Sequence, residues 1–252
     1  MSARGHAFGI DIGGSGVKGA AVDLTTGELV HERIKIATPR PATPEAIAVT
    51  TAGLVAEAGW DGPVGITMPA VVLGGVTRTA ANIDKSWIGT DARKLFSTAL
   101  GGREVTVLND ADAAGLAEDR FGAAAEFGGL VLLLTFGTGI GSALLYNGTL
   151  VPNSELGHLE IGGMEAEHRA AASVKDRQGL SYVKWAAEVS TVLGGLEDLF
   201  WPNVIVVGGG ISRDADRWIP LLTNRTPVVA ARLRNTAGIV GAAMAVQTGL
   251  VP

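Results

Sequence analysis

The chain contains no cysteine. That one absence excludes disulfides, thiolate zinc sites, iron–sulfur clusters and a cysteine nucleophile. Charge is also scarce, at 18% of 252 residues with a net value of −5, against about 25% in an average soluble protein. The acidic balance argues against non-specific binding to duplex nucleic acid, which phosphate neutralisation drives. No segment reaches about 18 apolar residues in a row, so no membrane helix is expected. Met1 to Gly14 holds no apolar run long enough for a signal peptide. A soluble, cytoplasmic protein is the expectation. What the chain has in excess is glycine, 36 residues, about twice the usual share.

The glycines punctuate short apolar runs. Ala7 to Ile12 reads as a strand, Gly19 to Leu24 as a second, and Leu29 to Ile36 as a third after the Thr26-Gly27 turn. Further on, Leu130 to Thr135, Ser142 to Tyr146 and the Asn147-Gly148 hairpin signal repeat that opening. Two copies of strand–glycine turn–strand–turn–strand predict two related domains. Between and after them, helical patterns (around Ile47 to Val55, Arg93 to Leu100, Ala111 to Arg120, Ser181 to Leu199) alternate with apolar strands at Pro63 to Met68, Val105 to Leu108 and Val204 to Val207. This alternation predicts an α/β class with largely parallel sheet. The expected division is 1-110 and 111-252, with the last helix free to return to the first domain.

Three glycine turns could approach phosphate, because bare amides can be aimed at an anion. The first is Gly13-Gly14-Ser15-Gly16, with Asp11 and Lys18 beside it. It lacks Walker spacing, and it leads into a strand rather than the helix of a dinucleotide fingerprint. The second offers Thr135, Gly137, Thr138 and Gly139. The third is Gly208-Gly209-Gly210, expected to precede a helix capped by Ser212. Each alone also reads as an ordinary turn.

Asp110 follows a buried strand, at the end where open α/β sheets place ligands. A carboxylate there can serve as general base, or Asn109-Asp110 can simply cap a helix. Glu155, His158 and Glu160 crowd six residues of a glycine-containing loop. They suit hydrogen bonding to a polyhydroxyl substrate, or a solvated loop. The metal-binding pattern His-Glu-x-x-His is absent. Glu165, Glu167 and His168 read as a solvated helix face.

Taken in order, these motifs resemble those of the ROK family of sugar kinases, in the actin/hexokinase superfamily. Asp11 to Gly19 resembles its first phosphate motif and Thr135 to Gly141 its second. Asn109-Asp110-Ala111 resembles its catalytic segment, Glu155-Leu156-Gly157-His158 its sugar loop, and Val207 to Gly210 its adenosine motif. The resemblance implies two related actin/hexokinase-like (ribonuclease H-like) domains with a substrate cleft between them, and a homodimer. It implies Asp110 as base for the glucose 6-hydroxyl, with Asn82, Asn109, Glu155, His158 and Glu160 on the other hydroxyls. Asp11 would orient Mg2+, and the glycine turns with Lys18 would cradle the donor. The chain is short for the family. Ser173 to Trp185 and Leu233 to Ala243 resemble the members that use inorganic polyphosphate. Polyphosphate, ATP or both are therefore the expected donors. The family's usual cysteine-rich zinc motif is missing, so no structural zinc is expected.

Two alternatives stay open. One is a strictly ATP-dependent glucokinase or glucomannokinase. The other is a non-catalytic sugar-binding regulator, which would need a helix-turn-helix that the early start of the first strand leaves no room for. A polyphosphate donor asks for a basic track, with Lys175, Arg177, Lys184, Arg232 and Arg234 as candidates.

Overall fold

Apolar runs that end in glycine fold back on themselves at once. In the computed structural model, which describes residues 5–252, β1 (His6–Gly13) and β2 (Gly16–Asp23) pair antiparallel. The register Ile12↔Val17 and Gly13↔Gly16 leaves Gly14-Ser15 as a two-residue turn. β3 (Ile34–Ile36) follows, then α1 (Pro44–Glu57), β4 (Val64–Met68), a small ribbon of β5 (Val72–Leu73) and β6 (Val76–Thr77), α2 (Ala92–Ala99), β7 (Val105–Asn109) and α3 (Asp110–Phe121). The second series is β8 (Leu130–Phe136), β9 (Ile140–Tyr146), β10 (Thr149–Val151), a ribbon of β11 (Glu160–Ile161) and β12 (Met164–Glu165), then α4 (Ala166–Ala170), α5 (Ala172–Gln178), α6 (Tyr182–Phe200), β13 (Val204–Gly208), α7 (Ala215–Trp218) and β14 (Val228–Ala230). The last helix is α8 (Ala237–Thr248).

The repeat read from the sequence is present as two five-stranded sheets of one pattern, β3-β2-β1-β4-β7 and β10-β9-β8-β13-β14. Each joins an antiparallel three-strand meander to two parallel strands. The sheets are therefore mixed rather than largely parallel. A two-residue turn can only return the chain antiparallel, and only strands reached through a helix or a long loop run parallel. The third strand is also shorter than expected. Exposed His31, Glu32 and Arg33 interrupt it, and Leu29 keeps only a bridge to Val22.

The chain divides into two compact units. One runs to Ala117 and takes up Asn235–Pro252, and the other is Glu118–Arg234. The division thus falls inside α3. α8 joins the first unit because its small side chains allow close contact. A Cβ at Gly9 or Gly65 would overlap the backbone carbonyl of Ile239 or Ala242, and one at Gly241 would overlap that of Ala113. α8 therefore lies directly on β1, β4 and α3, where no larger residue would fit. In the second unit the core centres on Phe136, Trp185 and Trp218. The two tryptophans meet edge-on at 4.9 Å, and each indole N–H donates to a backbone carbonyl, Ala170 and Ile211 respectively. Among the described residues no helix is long and apolar enough to cross a membrane.

Candidate active site

In the first unit, strand register gathers the groups around the first glycine turn. Asp11 on β1 stands opposite Lys18 on β2 and beside Thr67 on β4. Its carboxylate accepts from Lys18 Nζ at 3.3 Å and Thr67 Oγ1 at 3.2 Å. Gly238, in the first turn of α8, leaves the room this needs, since a Cβ there would lie 3.3 Å from Asp11 Cγ. Thr38 ties the turn down by donating to the Gly13 carbonyl at 2.5 Å. Gly14 and Ser15 at the tip are exposed. Gly14 shares a cavity of about 260 Å3 with Thr38, Arg40 and Asn82. Asn82 is exposed and left-handed, with φ 60°.

Asn109 ends β7 and Asp110 begins α3. The two readings of this pair separate by residue. Asn109 is the cap: its Oδ1 accepts from Ala111 N at 2.8 Å and Asp112 N at 3.2 Å, while Nδ2 donates to the Ala70 carbonyl. It is only 7% exposed. Asp110 is exposed, with Oδ1 also accepting from Ala111 N at 2.9 Å. The positive end of α3 lies directly behind it.

In the second unit, Thr135, next to the last residue of β8, is half-buried, and Gly137 and Thr138 are exposed at the turn into β9. The turn is braced by the Gly137 N–H to Gly139 carbonyl bond and by Ser173 Oγ on the Thr138 carbonyl at 2.7 Å. Gly208 ends β13 paired to Thr135. Gly209 has φ 82°, and a Cβ there would overlap the Phe136 backbone, so the second and third turns lie side by side. Gly209 and Gly210 are exposed. Ser212 does not cap a helix. It lies within a 3-10 turn, Gly210–Asp214, and donates to the Gly209 carbonyl at 2.8 Å. The glycine run bends too tightly for an α-helix to begin there.

The sugar-loop candidates hang from β9. Ser142 Oγ accepts from Leu156 N at 2.9 Å, and Gly157 packs where a Cβ would overlap the Ile140 carbonyl. His158 lies 3.3 Å from Glu165, 3.8 Å from Glu167 and 4.0 Å from Glu155. Hydrogen bonding to Glu165, with the charges of Glu167 and Glu155, raises the His158 pKa above its usual value against the opposing effect of burial. Burial raises Glu155, with His158 opposing and Glu167 reinforcing. Glu160 is exposed on β11, and its carboxylate makes no hydrogen bond among the described residues.

Glu165 and Glu167 correct the sequence reading, which left them on a solvated face. The β11–β12 ribbon turns at Gly162-Gly163, φ 62° and 78°, and brings residue 165 opposite 160. Glu167 then reaches the Ile140 amide at 3.3 Å, next to Gly139. One ligand atom each from His158, Glu165 and Glu167 lies within 4.8 Å of the others, a donor set suited to hydroxyls or a cation. The paired glycines were the available signal. Of the basic-track candidates, Lys175 contacts Asp176 at 3.6 Å and covers the Tyr182 ring, while Arg232 pairs with Glu126 at 3.4 Å. Arg177, Lys184 and Arg234 are exposed.

The chain is similar to known proteins over nearly its whole length. The chain is 63% identical over 240 residues to the polyphosphate glucokinase of Mycobacterium tuberculosis, covering 95% of this chain and 91% of that one. It superposes with a TM-score of 0.91 on the crystal structure of inorganic polyphosphate/ATP-glucomannokinase from Arthrobacter sp. strain KM, at 50% identity and covering 97% and 99% of the two chains. A ROK family glucokinase from Streptomyces griseus, in complex with glucose and AMPPNP, gives a TM-score of 0.82 at 26% identity, covering 97% of this chain and all of that one. Residues 7–179 match the model of the ROK family, and the chain belongs to that family.

Proposed function

We propose that this chain is a sugar kinase that moves the terminal phosphoryl group of inorganic polyphosphate, or of ATP, to the 6-hydroxyl of glucose. The names of the relatives supply the donor and acceptor. The observation that carries the chemistry is Asp110, an exposed carboxylate at the end of a fully buried strand. In this reading Asp110 takes the O6 proton while O6 bonds to phosphorus. The bridging P–O bond breaks, and its electron pair leaves with the shortened polyphosphate or ADP. Asn109 holds the backbone that aims Asp110, so its contribution is orientation and at most one remaining N–H. Glu155, His158, Glu160 and Asn82 take the other hydroxyls, and Glu167 joins them.

The donor is received at the two turns Gly13, Gly14, Ser15, Gly16 and Gly137, Thr138, Gly139, whose exposed tips are Gly14-Ser15 and Gly137-Thr138, with the Thr135 hydroxyl and Lys18. Gly209 and Gly210, following buried Gly208, offer a bare surface to a nucleotide or further phosphates. Asp11 fits a Mg2+ role: one half-buried carboxylate beside a phosphate turn matches how that ion is held, by one or two carboxylates plus substrate phosphates. Bound there, Mg2+ would neutralise donor charge.

Asp110→Asn keeps the size and the helix position but cannot accept the proton. The expected loss in kcat is about 10²–10⁴-fold, with glucose KM little changed. A kcat within about threefold of the parent would remove Asp110 as the base.

A further inference from the structure

Three cations surround the first glycine turn, and among the described residues one of them, Lys18, has an acidic partner. Lys18 is paired with Asp11. Lys35, on β3, stands directly opposite Lys18 across the β2–β3 ladder. Like charges at facing positions are destabilising, and nothing in the first unit offsets the second one: no ion pair reaches Lys35 among the described residues. Its stem lies across Gly16, where a Cβ would come within 2.9 Å of Lys35 Cε. Arg40 is exposed, has no ion pair among the described residues, and lines the cavity that Gly14 and Asn82 share. Asp84 also lines that cavity; its carboxylate accepts from Ser86 N at 2.8 Å and Ser86 Oγ at 2.6 Å, which orients it toward the following turn and leaves its charge in place. Lys35 and Arg40 thus flank a turn of bare amides, on the segment from β3 toward α1.

We propose that Lys35 and Arg40 bind the polyphosphate chain beyond its transferring phosphoryl group, as a lane leading away from the first glycine turn. The proposal rests on the donor reading above and adds a path that a nucleotide does not need. It also moves the basic track from the second unit, where Lys175 and Arg232 are paired, to the first. A linear polyanion gains affinity from each cation it meets, and that gain is salt-dependent.

The test compares the parent with Lys35→Gln and Arg40→Gln, using tripolyphosphate, long-chain polyphosphate and ATP as donors, each at several salt concentrations. Lys94→Gln, an equal charge change on α2 away from the turn, is the control and should match the parent. Each lane variant should raise KM for the long chain roughly three- to tenfold. KM for ATP and for glucose should stay near the parent values. The slope of log KM against log salt for the long chain should become shallower by about one per cation removed. Equal losses with ATP and long chains would overturn the lane, because the residues would then serve any phosphate. So would a rise in glucose KM alone, or values that match the control. If the parent uses ATP but no polyphosphate, the donor reading fails too. If it uses polyphosphate and the variants are unaffected, the lane alone fails.

Discussion

Glu197 gives the second unit a measurable dependence on acid. It sits on α6 and is 2% exposed. Its carboxylate accepts from Asn224 Nδ2 at 3.0 Å, Arg225 N at 3.1 Å and Thr226 N, and Arg225 Nε lies 3.4 Å away. Burial pushes the pKa up, but those donors outweigh it and hold the group at about 2, against an ordinary 4.5. The unfolded chain therefore binds a proton that the folded chain refuses. The contribution is fully present above pH 4.5 and fades as pH falls toward 2. A difference of about 2.5 units corresponds to roughly 3 kcal/mol at 1.36 kcal/mol per unit. Urea unfolding of the parent and of Glu197→Gln at a series of pH values isolates it from other carboxylates. The stability gap should be a few kcal/mol at pH 7 and should shrink through the acid range. A gap that stays constant from pH 7 to pH 3, or lies below about 0.5 kcal/mol throughout, would refute the reasoning.

Gly65→Ala should cost roughly 2–3 kcal/mol of stability, because the new Cβ meets the Ala242 backbone and α8 must move; a thermal midpoint equal to the parent's would contradict the close packing. Glucose KM should rise as pH climbs through the raised His158 pKa, since a neutral ring donates from one nitrogen only. That alkaline step should vanish in His158→Asn, and a step retained there would assign it elsewhere.

The duplicated sheet could be read from the sequence because each signal is local: an apolar run, a glycine turn, the Asn147-Gly148 hairpin. Mixed strand direction followed from the same turns but was outweighed by the helix–strand alternation that comes later. Contacts made by distant segments were harder to see. Nothing near Gly9 or Gly65 says that a helix more than 170 residues later will press on them. Glu165 and Glu167 were hidden for a similar reason, since only the Gly162-Gly163 turn brings them to His158. Asn109 and Asp110 shared one ambiguous signal, cap or catalyst. Side-chain geometry was needed to give the cap to Asn109.

The most direct measurement is glucose 6-phosphate formation with Mg2+, comparing inorganic polyphosphate and ATP at equal phosphoryl concentration. The account predicts product with polyphosphate, one phosphoryl group lost from the donor per glucose 6-phosphate formed. Absence of product with polyphosphate would contradict it.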